Sequence, residues 1–157
     1  MEKADLKDNM VVSPMDDSVT NIHTTSVPVE IRFADMDSNG HMFFGNYFTL
    51  FDTAFLKYLE KIEYPFSRFL SNNLNLYYVE AKSQFKAPIN FNDEVGVAVQ
   101  ITSVGNTSFT VTFEVTNKTS NKSAALGHIV AVVVDLKSEK SYPLPDEFLE
   151  AIGYAGP

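Results

Sequence analysis

The sequence predicts an α+β domain in which a five-stranded antiparallel sheet wraps around one long central helix. Three observations support this fold class. An apolar stripe with helical spacing runs through residues 44–62. Five other segments, one before the stripe and four after it, have the alternating or continuous apolar pattern of β-strands. Short turns join most of the later segments, which makes them antiparallel neighbours, and the helix can bury its apolar face only against their sheet.

The first strand and the long helix follow a polar segment. Residues 1–25 have no sustained period, and we interpret them as a flexible leader to a single domain over 26–157. The alternation of Val27–Phe33 predicts the first strand. The helical stripe spans about five turns and consists of Phe44, Phe48, Phe51, Phe55, Leu59 and Ile62. Pro65 ends this helix or begins a short second helix through Leu70.

Four strands and a terminal helix complete the chain. The predicted strands are Leu74–Phe85, Val95–Ile101, Phe109–Thr116 and Ala124–Leu136. Gly105-Asn106 is typical of a hairpin turn. The last strand is almost entirely apolar, which indicates a central strand buried on both faces. Pro145 and Asp146 begin a short helix.

Composition limits the possible functions. The chain has 157 residues, a net charge of −8 and no cysteine. It has no basic stripe to bind nucleic acid and no apolar stretch long enough to span a membrane. The N-terminus lacks the basic and apolar regions of a secretory signal, and the absence of cysteine is compatible with a cytoplasmic protein.

The most informative segment runs from Ile31 to Asp52. The predicted strand ends at two acids, Asp35 and Asp37, and a Ser38-Asn39-Gly40 turn leads into a helix beginning near Phe43. A helix start presents unpaired backbone N–H groups and a partial positive charge. A carboxylate beside those donors could attack a carbonyl, or deprotonate water against it, while the N–H groups polarise the carbonyl oxygen.

This segment resembles the signature of the hotdog-fold acyl-CoA thioesterases of the 4-hydroxybenzoyl-CoA thioesterase type. That signature reads roughly aromatic-x-D-x-D-x-x-G-x-x-x-x-x-N-Y. Its positions are filled here by Phe33, Asp35, Asp37, Gly40, Asn46 and Tyr47. Supporting similarities downstream are Tyr78–Ala81, Phe85, Pro88, Asp93 and the Tyr142–Leu149 segment. The resemblance covers about residues 27–152 and implies a hotdog fold that hydrolyses acyl-CoA thioesters.

The resemblance implies three catalytic groups. Asp37 matches the family's catalytic carboxylate, which acts as nucleophile or as general base; the sequence leaves both routes open. The carbonyl-polarising donors would be the backbone N–H groups near Phe44 and Gly45. From the residues alone, Asp37 could instead only cap the turn. Asp35 is expected to support the turn by accepting backbone hydrogen bonds.

Substrate-binding candidates are His41, Asn46, Tyr47, Lys82 and Lys86. His41 could orient the substrate or bind the loop backbone, while Asn46 and Tyr47 are expected to pin the helix start. The two lysines, together with Lys122 and Lys137, are candidates for the coenzyme A phosphates. Asp52, on the helix, is interpreted as structural, although a related hotdog branch takes its catalytic acid from this helix. His128 is interpreted as a core histidine, with a substrate-lining role as the alternative.

No cofactor or metal is expected, since coenzyme A would be part of the substrate. Asp35-x-Asp37-x-Asn39-Gly40 matches the start of a calcium loop, but Asn46 occupies the position that requires glutamate. The resemblance implies a homodimer or homotetramer with the active site at an interface. Two alternatives remain at this stage: an acyl carrier protein thioesterase and a non-catalytic acyl-CoA-binding domain.

Overall fold

A computed structural model describes residues 24–156. The strands are β1 (Thr25–Val29), β2 (Leu74–Phe85), β3 (Val95–Val104), β4 (Ser108–Asn117) and β5 (Lys122–Asp135). The helices are α1 (Asn46–Lys61), α2 (Phe66–Ser71) and α3 (Asp146–Ala151). A 3-10 turn covers Phe33–Asp35. The predicted α+β class, with its long helix followed by four strands, is confirmed.

The five strands form one antiparallel sheet in the order β1-β3-β4-β5-β2. β4 therefore lies in the middle, and β1 and β2 are the edges. Val27 lies opposite Val97, which lies opposite Val115, and all three side chains are buried. This apolar row faces α1, so one face of the sheet and one face of the helix form the core.

The core beneath α1 is aromatic. The Phe51 ring is fully buried and stacks on Phe113 of β4, with ring centroids 4.6 Å apart and an interplanar angle of 9°. Phe55 lies 5.9 Å from Phe109 on the same strand. The helical spacing of the phenylalanines thus aligns their rings along the middle of the sheet.

Gly127 of β5 allows α1 to approach the sheet closely. A Cβ at this position would lie 2.5 Å from the Phe51 ring and 2.5 Å from the carbonyl oxygen of Lys82 on β2. Only glycine leaves space for the Phe51 ring here without displacing a neighbouring strand.

Gly127→Ala is expected to destabilise the fold by about 1–3 kcal/mol, since the new methyl group overpacks the core. Chemical denaturation followed by circular dichroism measures this change. Gly96→Ala is the matched control, because the close contact of a Cβ there is with the flexible end of Lys118, at 2.8 Å, and Ser26 Oγ lies at an ordinary 3.7 Å. Equal stability of the two variants would show that Phe51 and β2 adjust to the added methyl group.

The first strand is shorter than predicted and begins earlier. β1 includes Thr25, which was assigned to the leader and lies opposite Val99, and ends at Val29. Ile31 is still buried, but Phe33 is 76% exposed. The reason is local: Arg32 and Asp35 hydrogen-bond each other and close the 3-10 turn, so this segment leaves the sheet. Residues 1–23 of the predicted leader lie outside the described residues.

The long helix begins at Asn46 rather than near Phe43. The Phe43 N–H donates to the Asp35 carbonyl at 2.9 Å, which draws the chain toward the acidic segment. Tight turns then lead into the helix, because the N–H groups of Asn46 and Tyr47 donate three residues back to Phe43 and Phe44. The apolar stripe predicted the body of the helix correctly and its first residues incorrectly.

β5 is an interior strand but is not buried on both faces. Ile129, Ala131 and Val133 are buried toward α1, whereas His128, Val130 and Val132 on the other face are only half-buried. His128 lies on that second face, where its Nε2 is hydrogen-bonded to Glu80 at 2.5 Å. The prediction of a core histidine was therefore wrong. The apolar run did not reveal that one face of this strand lacks a covering layer.

Among residues 24–156, no helix is long and apolar enough to cross a membrane.

Candidate active site

The predicted catalytic acid lies on a closed loop between the 3-10 turn and α1. We call residues 36–42 the acidic loop. Met36 and Met42 form an isolated antiparallel bridge at its base. Inside it, the Asp37 N–H donates to the His41 carbonyl and the Gly40 N–H to the Asp37 carbonyl, both at 3.1 Å. Gly40 has φ +82°, a conformation that glycine adopts without strain.

The Asp37 side chain is half-buried, and one of its oxygens is engaged by the loop. Oδ1 accepts the Asn39 N–H at 2.8 Å. This is the turn-capping contact that the sequence left open as an alternative. The other carboxylate oxygen has no protein hydrogen-bond partner within residues 24–156. The loop thus fixes the carboxylate through one oxygen and leaves the second for a ligand.

Asp35 supports the loop from below, as predicted. Its buried carboxylate accepts the Arg32 N–H at 2.8 Å and forms an ion pair with the Arg32 guanidinium, Nη2 to Oδ1, at 2.7 Å. Hydrogen bonds from the Arg32 side chain hold the pKa of Asp35 below its ordinary value, against the opposing effect of burial. Asp35 is therefore a structural carboxylate rather than a second catalytic one.

Arg32→Gln is expected to make the protein less stable at neutral pH and to raise the pH at which it unfolds in acid. The pKa of Asp35 is lower in the folded chain than in the unfolded chain. The ion pair therefore stabilises the fold at pH values above the unfolded-state pKa of an aspartate, about 3.9. This stabilisation is lost as the pH falls through the folded-state pKa of Asp35. Urea unfolding near neutral and acidic pH measures this. Arg68→Gln is the control, since its pair with Glu147 is exposed and 3.9 Å long.

The helix start is tied to the acidic loop through the Asp35 carbonyl. That oxygen accepts the Phe43 N–H at 2.9 Å and the Asn46 side-chain Nδ2 at 3.0 Å. The Met42 N–H donates to the Ile89 carbonyl at 2.7 Å, which joins both to the segment between β2 and β3. Asn46 thus pins the helix start, in keeping with the structural part of its predicted role.

Two backbone donors at the helix start are left without acceptors. Neither the Phe44 N–H nor the Gly45 N–H donates to any acceptor in the described part of the chain. Both precede the first residue of α1, where the helix dipole favours negative charge. A Cβ on Gly45 would lie 2.7 Å from the Phe43 ring, so a small residue keeps this turn compact. The two predicted donors are therefore available to a ligand.

Aromatic side chains surround these donors. Phe44 is 61% exposed, and its ring lies 6.2 Å from that of Phe85 on β2. Phe43 and Phe44 lie 4.6 Å apart. Tyr47 is buried, with its ring edge-on to Phe85 at 5.0 Å, and burial raises its pKa. Tyr47 thus supports Phe85 from the core, whereas Phe44 and Phe85 are accessible.

The remaining candidates lie at different distances from the loop. His41 is half-buried within it, and Lys86 follows Phe85 directly. Lys82 lies opposite His128, on the face of the sheet away from α1. Lys137 follows the far end of β5, a 14-residue strand whose other end lies beside Lys86. The structure brings His41 and Lys86 toward the loop and leaves Lys82 and Lys137 apart.

Two features of this region were not predicted. Arg32 clamps Asp35, and the only hint of this in the sequence is an arginine three residues before an acid. Tyr78 of β2 donates its hydroxyl to Asp52 Oδ1 of α1 at 2.7 Å. Burial and the adjacent carboxylate raise the pKa of Tyr78. Asp52 therefore has a structural role, as expected, and its partner is Tyr78, which the sequence could not identify.

In this chain a five-stranded sheet wraps around one long helix, and the acidic loop lies before a helix start with unpaired backbone N–H groups. This arrangement places the chain in the class of hotdog-fold domains. The chain belongs to the thioesterase-like superfamily, whose family model matches residues 31–152. The expected resemblance and the expected hotdog fold are confirmed. A comparison with curated proteins finds no match.

Solved structures share the fold. A DHNA-CoA thioesterase from Staphylococcus aureus is similar with TM-score 0.78 and 20% identity, over 83% of this chain and 89% of that one. A 1,4-dihydroxy-2-naphthoyl-CoA thioesterase from Synechocystis has TM-score 0.78 and 23% identity, over 86% of this chain and 100% of that one. A gentisyl-coenzyme A thioesterase has TM-score 0.69 and 26% identity, over 80% of this chain and 98% of that one.

Proposed function

We propose that this protein hydrolyses an acyl-CoA thioester to a free acid and coenzyme A, with Asp37 as the catalytic carboxylate. One observation carries the proposal. The free oxygen of Asp37 stands on a loop whose preceding residue, Asp35, accepts hydrogen bonds from Phe43 and Asn46 at the helix start. There the Phe44 and Gly45 N–H groups lack acceptors within residues 24–156. A nucleophile or base and two carbonyl-polarising donors are the minimum that acyl transfer requires.

The reaction would proceed at the thioester carbonyl carbon. Its oxygen accepts the Phe44 and Gly45 N–H groups, which stabilise the negative charge that develops on it. Asp37 either attacks this carbon, giving an acyl-aspartate that water then hydrolyses, or removes a proton from the attacking water. In both routes the carbon–sulfur bond breaks, the coenzyme A sulfur leaves as thiolate and takes up a proton, and the acid is released.

Coenzyme A is the proposed carrier of the acyl group. The similar solved structures include thioesterases for DHNA-CoA and gentisyl-CoA, two acyl-CoA compounds. Of the predicted lysines we propose Lys86, which is exposed and follows Phe85, for a phosphate contact. Because the net charge of the chain is −8, such a contact would have to act locally against the overall field.

A second copy of the chain is the proposed partner, paired through β2. This strand is an edge of the sheet, and its exposed apolar side chains include Tyr77, Val79 and Phe85. A long, apolar edge strand exposes unpaired backbone N–H and C=O groups and therefore tends to pair with another chain. Light scattering at working concentration tests the assembly, and a fully active monomer would exclude it.

Thiol release from a panel of acyl-CoAs tests the activity. The panel should span short, medium and long straight chains as well as aromatic acyl groups, with free coenzyme A detected by a thiol reagent. We expect turnover of at least one member. If none is cleaved but an acyl-CoA binds saturably, the non-catalytic binding domain becomes the better account of the same site.

A further inference from the structure

α1 and β2 run antiparallel beside each other and touch at two separated places. At the helix start, Tyr47 lies edge-on to Phe85 at 5.0 Å. Farther along the helix, Asp52 accepts the Tyr78 hydroxyl at 2.7 Å. We call the surface between these two contacts the groove; it includes the exposed Ala81 of β2 and begins beside Phe44 and Gly45, whose N–H groups are free in the described chain.

Small side chains of β2 form one wall of this groove. Ala81 and Ser83 lie opposite Ile129 and Gly127 of β5, so they share the face of the sheet that is directed toward α1. Ala81 is exposed, whereas the Ser83 hydroxyl is buried and has no hydrogen-bond partner in the described chain. Neither side chain reaches far from the strand. The wall is therefore recessed between the large rings of Phe85 and Tyr78.

Phenylalanines of α1 form the opposite wall and the floor. Phe48 is half-buried and packs edge-on against Phe51, with ring centroids 6.0 Å apart. Phe51 is fully buried between Phe113 and Gly127, so no ligand can pass beneath it into the core. A ligand that enters at the helix start is therefore kept out of the core, and the direction along the helix is open to it.

The Asp52–Tyr78 pair closes the far end of the groove. Gly45, Phe48 and Asp52 are spaced three and four residues apart, which aligns them along one side of α1. The seven residues from Gly45 to Asp52 correspond to about 10 Å along the helix axis. Beyond this length an apolar chain meets a carboxylate and a hydroxyl, whose desolvation would oppose its burial.

We propose that this groove holds the acyl group of the substrate and that Asp52 and Tyr78 act as its polar stop, restricting the enzyme to short acyl chains or compact rings. The proposal deepens the thioesterase function and rests on it. Each methylene buried before the stop should raise kcat/KM by about fourfold, which is the value of one buried methylene group. That gain should end where the chain reaches the pair.

The test compares hexanoyl-CoA with dodecanoyl-CoA in wild type, Asp52→Leu and Glu60→Leu. Leucine at position 52 replaces the polar stop with an apolar surface. The ratio of kcat/KM for dodecanoyl-CoA to that for hexanoyl-CoA should therefore rise at least about tenfold. This is the size of the free-energy change when one hydrogen bond to a charged group is lost. Glu60 lies exposed on the same helix beyond the groove, and Glu60→Leu should keep the wild-type ratio. Tyr78→Phe provides a second test if Asp52→Leu does not fold, and should shift the ratio in the same direction.

An unchanged ratio in a folded Asp52→Leu or Tyr78→Phe variant would overturn the polar stop, as would wild-type cleavage of dodecanoyl-CoA that equals that of hexanoyl-CoA. Either result leaves the thioesterase function intact, since the substrates are still cleaved. Calorimetric binding of the same two acyl-CoAs to wild type and to Asp52→Leu tests the case in which the proposed hydrolase function itself fails. A chain-length preference in binding that disappears in Asp52→Leu, without any turnover, would retain the groove and reject the hydrolase.

Discussion

Replacing Asp37 with asparagine is expected to lower kcat/KM for thioester hydrolysis by about a hundredfold or more. Asparagine has nearly the same shape, and its amide oxygen can still accept the Asn39 N–H that engages Oδ1 at 2.8 Å. The loop should therefore remain closed. What is lost is the negative charge, and with it the capacity to attack the carbonyl or to accept a proton from water.

The comparison needs a fold control and a chemical control. Thermal unfolding of Asp37→Asn should match that of wild type, because the backbone bonds that close the acidic loop involve no Asp37 side-chain charge. Asp146→Asn, an exposed acid at the start of α3, should keep full activity. Equal activity of Asp37→Asn and wild type would remove Asp37 from the mechanism. Isolation of an acyl-Asp37 peptide during turnover would identify the nucleophilic route.

Phe51→Ala is expected to destabilise the protein by about 3–5 kcal/mol, the usual cost of truncating a buried phenylalanine. The ring is fully buried, stacks on Phe113 at 4.6 Å and fills the space above Gly127. The surroundings cannot close over the cavity easily, since β4 and β5 are held by their ladders on both sides. Equilibrium denaturation in urea or guanidinium measures the change in the free energy of unfolding.

Phe33→Ala is the matched control for this loss. Phe33 makes an edge-on contact with Phe91 at 5.6 Å but is 76% exposed, so its truncation should change the stability by about 0.5 kcal/mol or less. A comparable loss in both variants would mean that the Phe33 surface is covered in solution, for example by a second copy of the chain. A small loss for Phe51→Ala would contradict the close packing of α1 on the sheet.

Sequence alone predicted the fold class, the order of the elements and the position of the acidic loop. β2 was predicted with its observed bounds, Leu74–Phe85, because the pattern and the breaks that delimit it are local. The helix body and the Asp37 loop were identified for the same reason. Helical and strand periods are properties of neighbouring residues, and turn residues act within four positions.

Tertiary structure decided what those local patterns could not. The start of α1 moved to Asn46 because Phe43 donates to the Asp35 carbonyl, and this left the Phe44 and Gly45 donors free. The Tyr78 hydroxyl reached Asp52 across 26 positions of the chain, which closed the groove. Such contacts depend on how the strands and the helix pack. Packing brings together residues that are far apart in the sequence, and no local sequence pattern indicates which residues will meet. The sequence thus determined which residues were available for chemistry, and the fold determined which of them face one another.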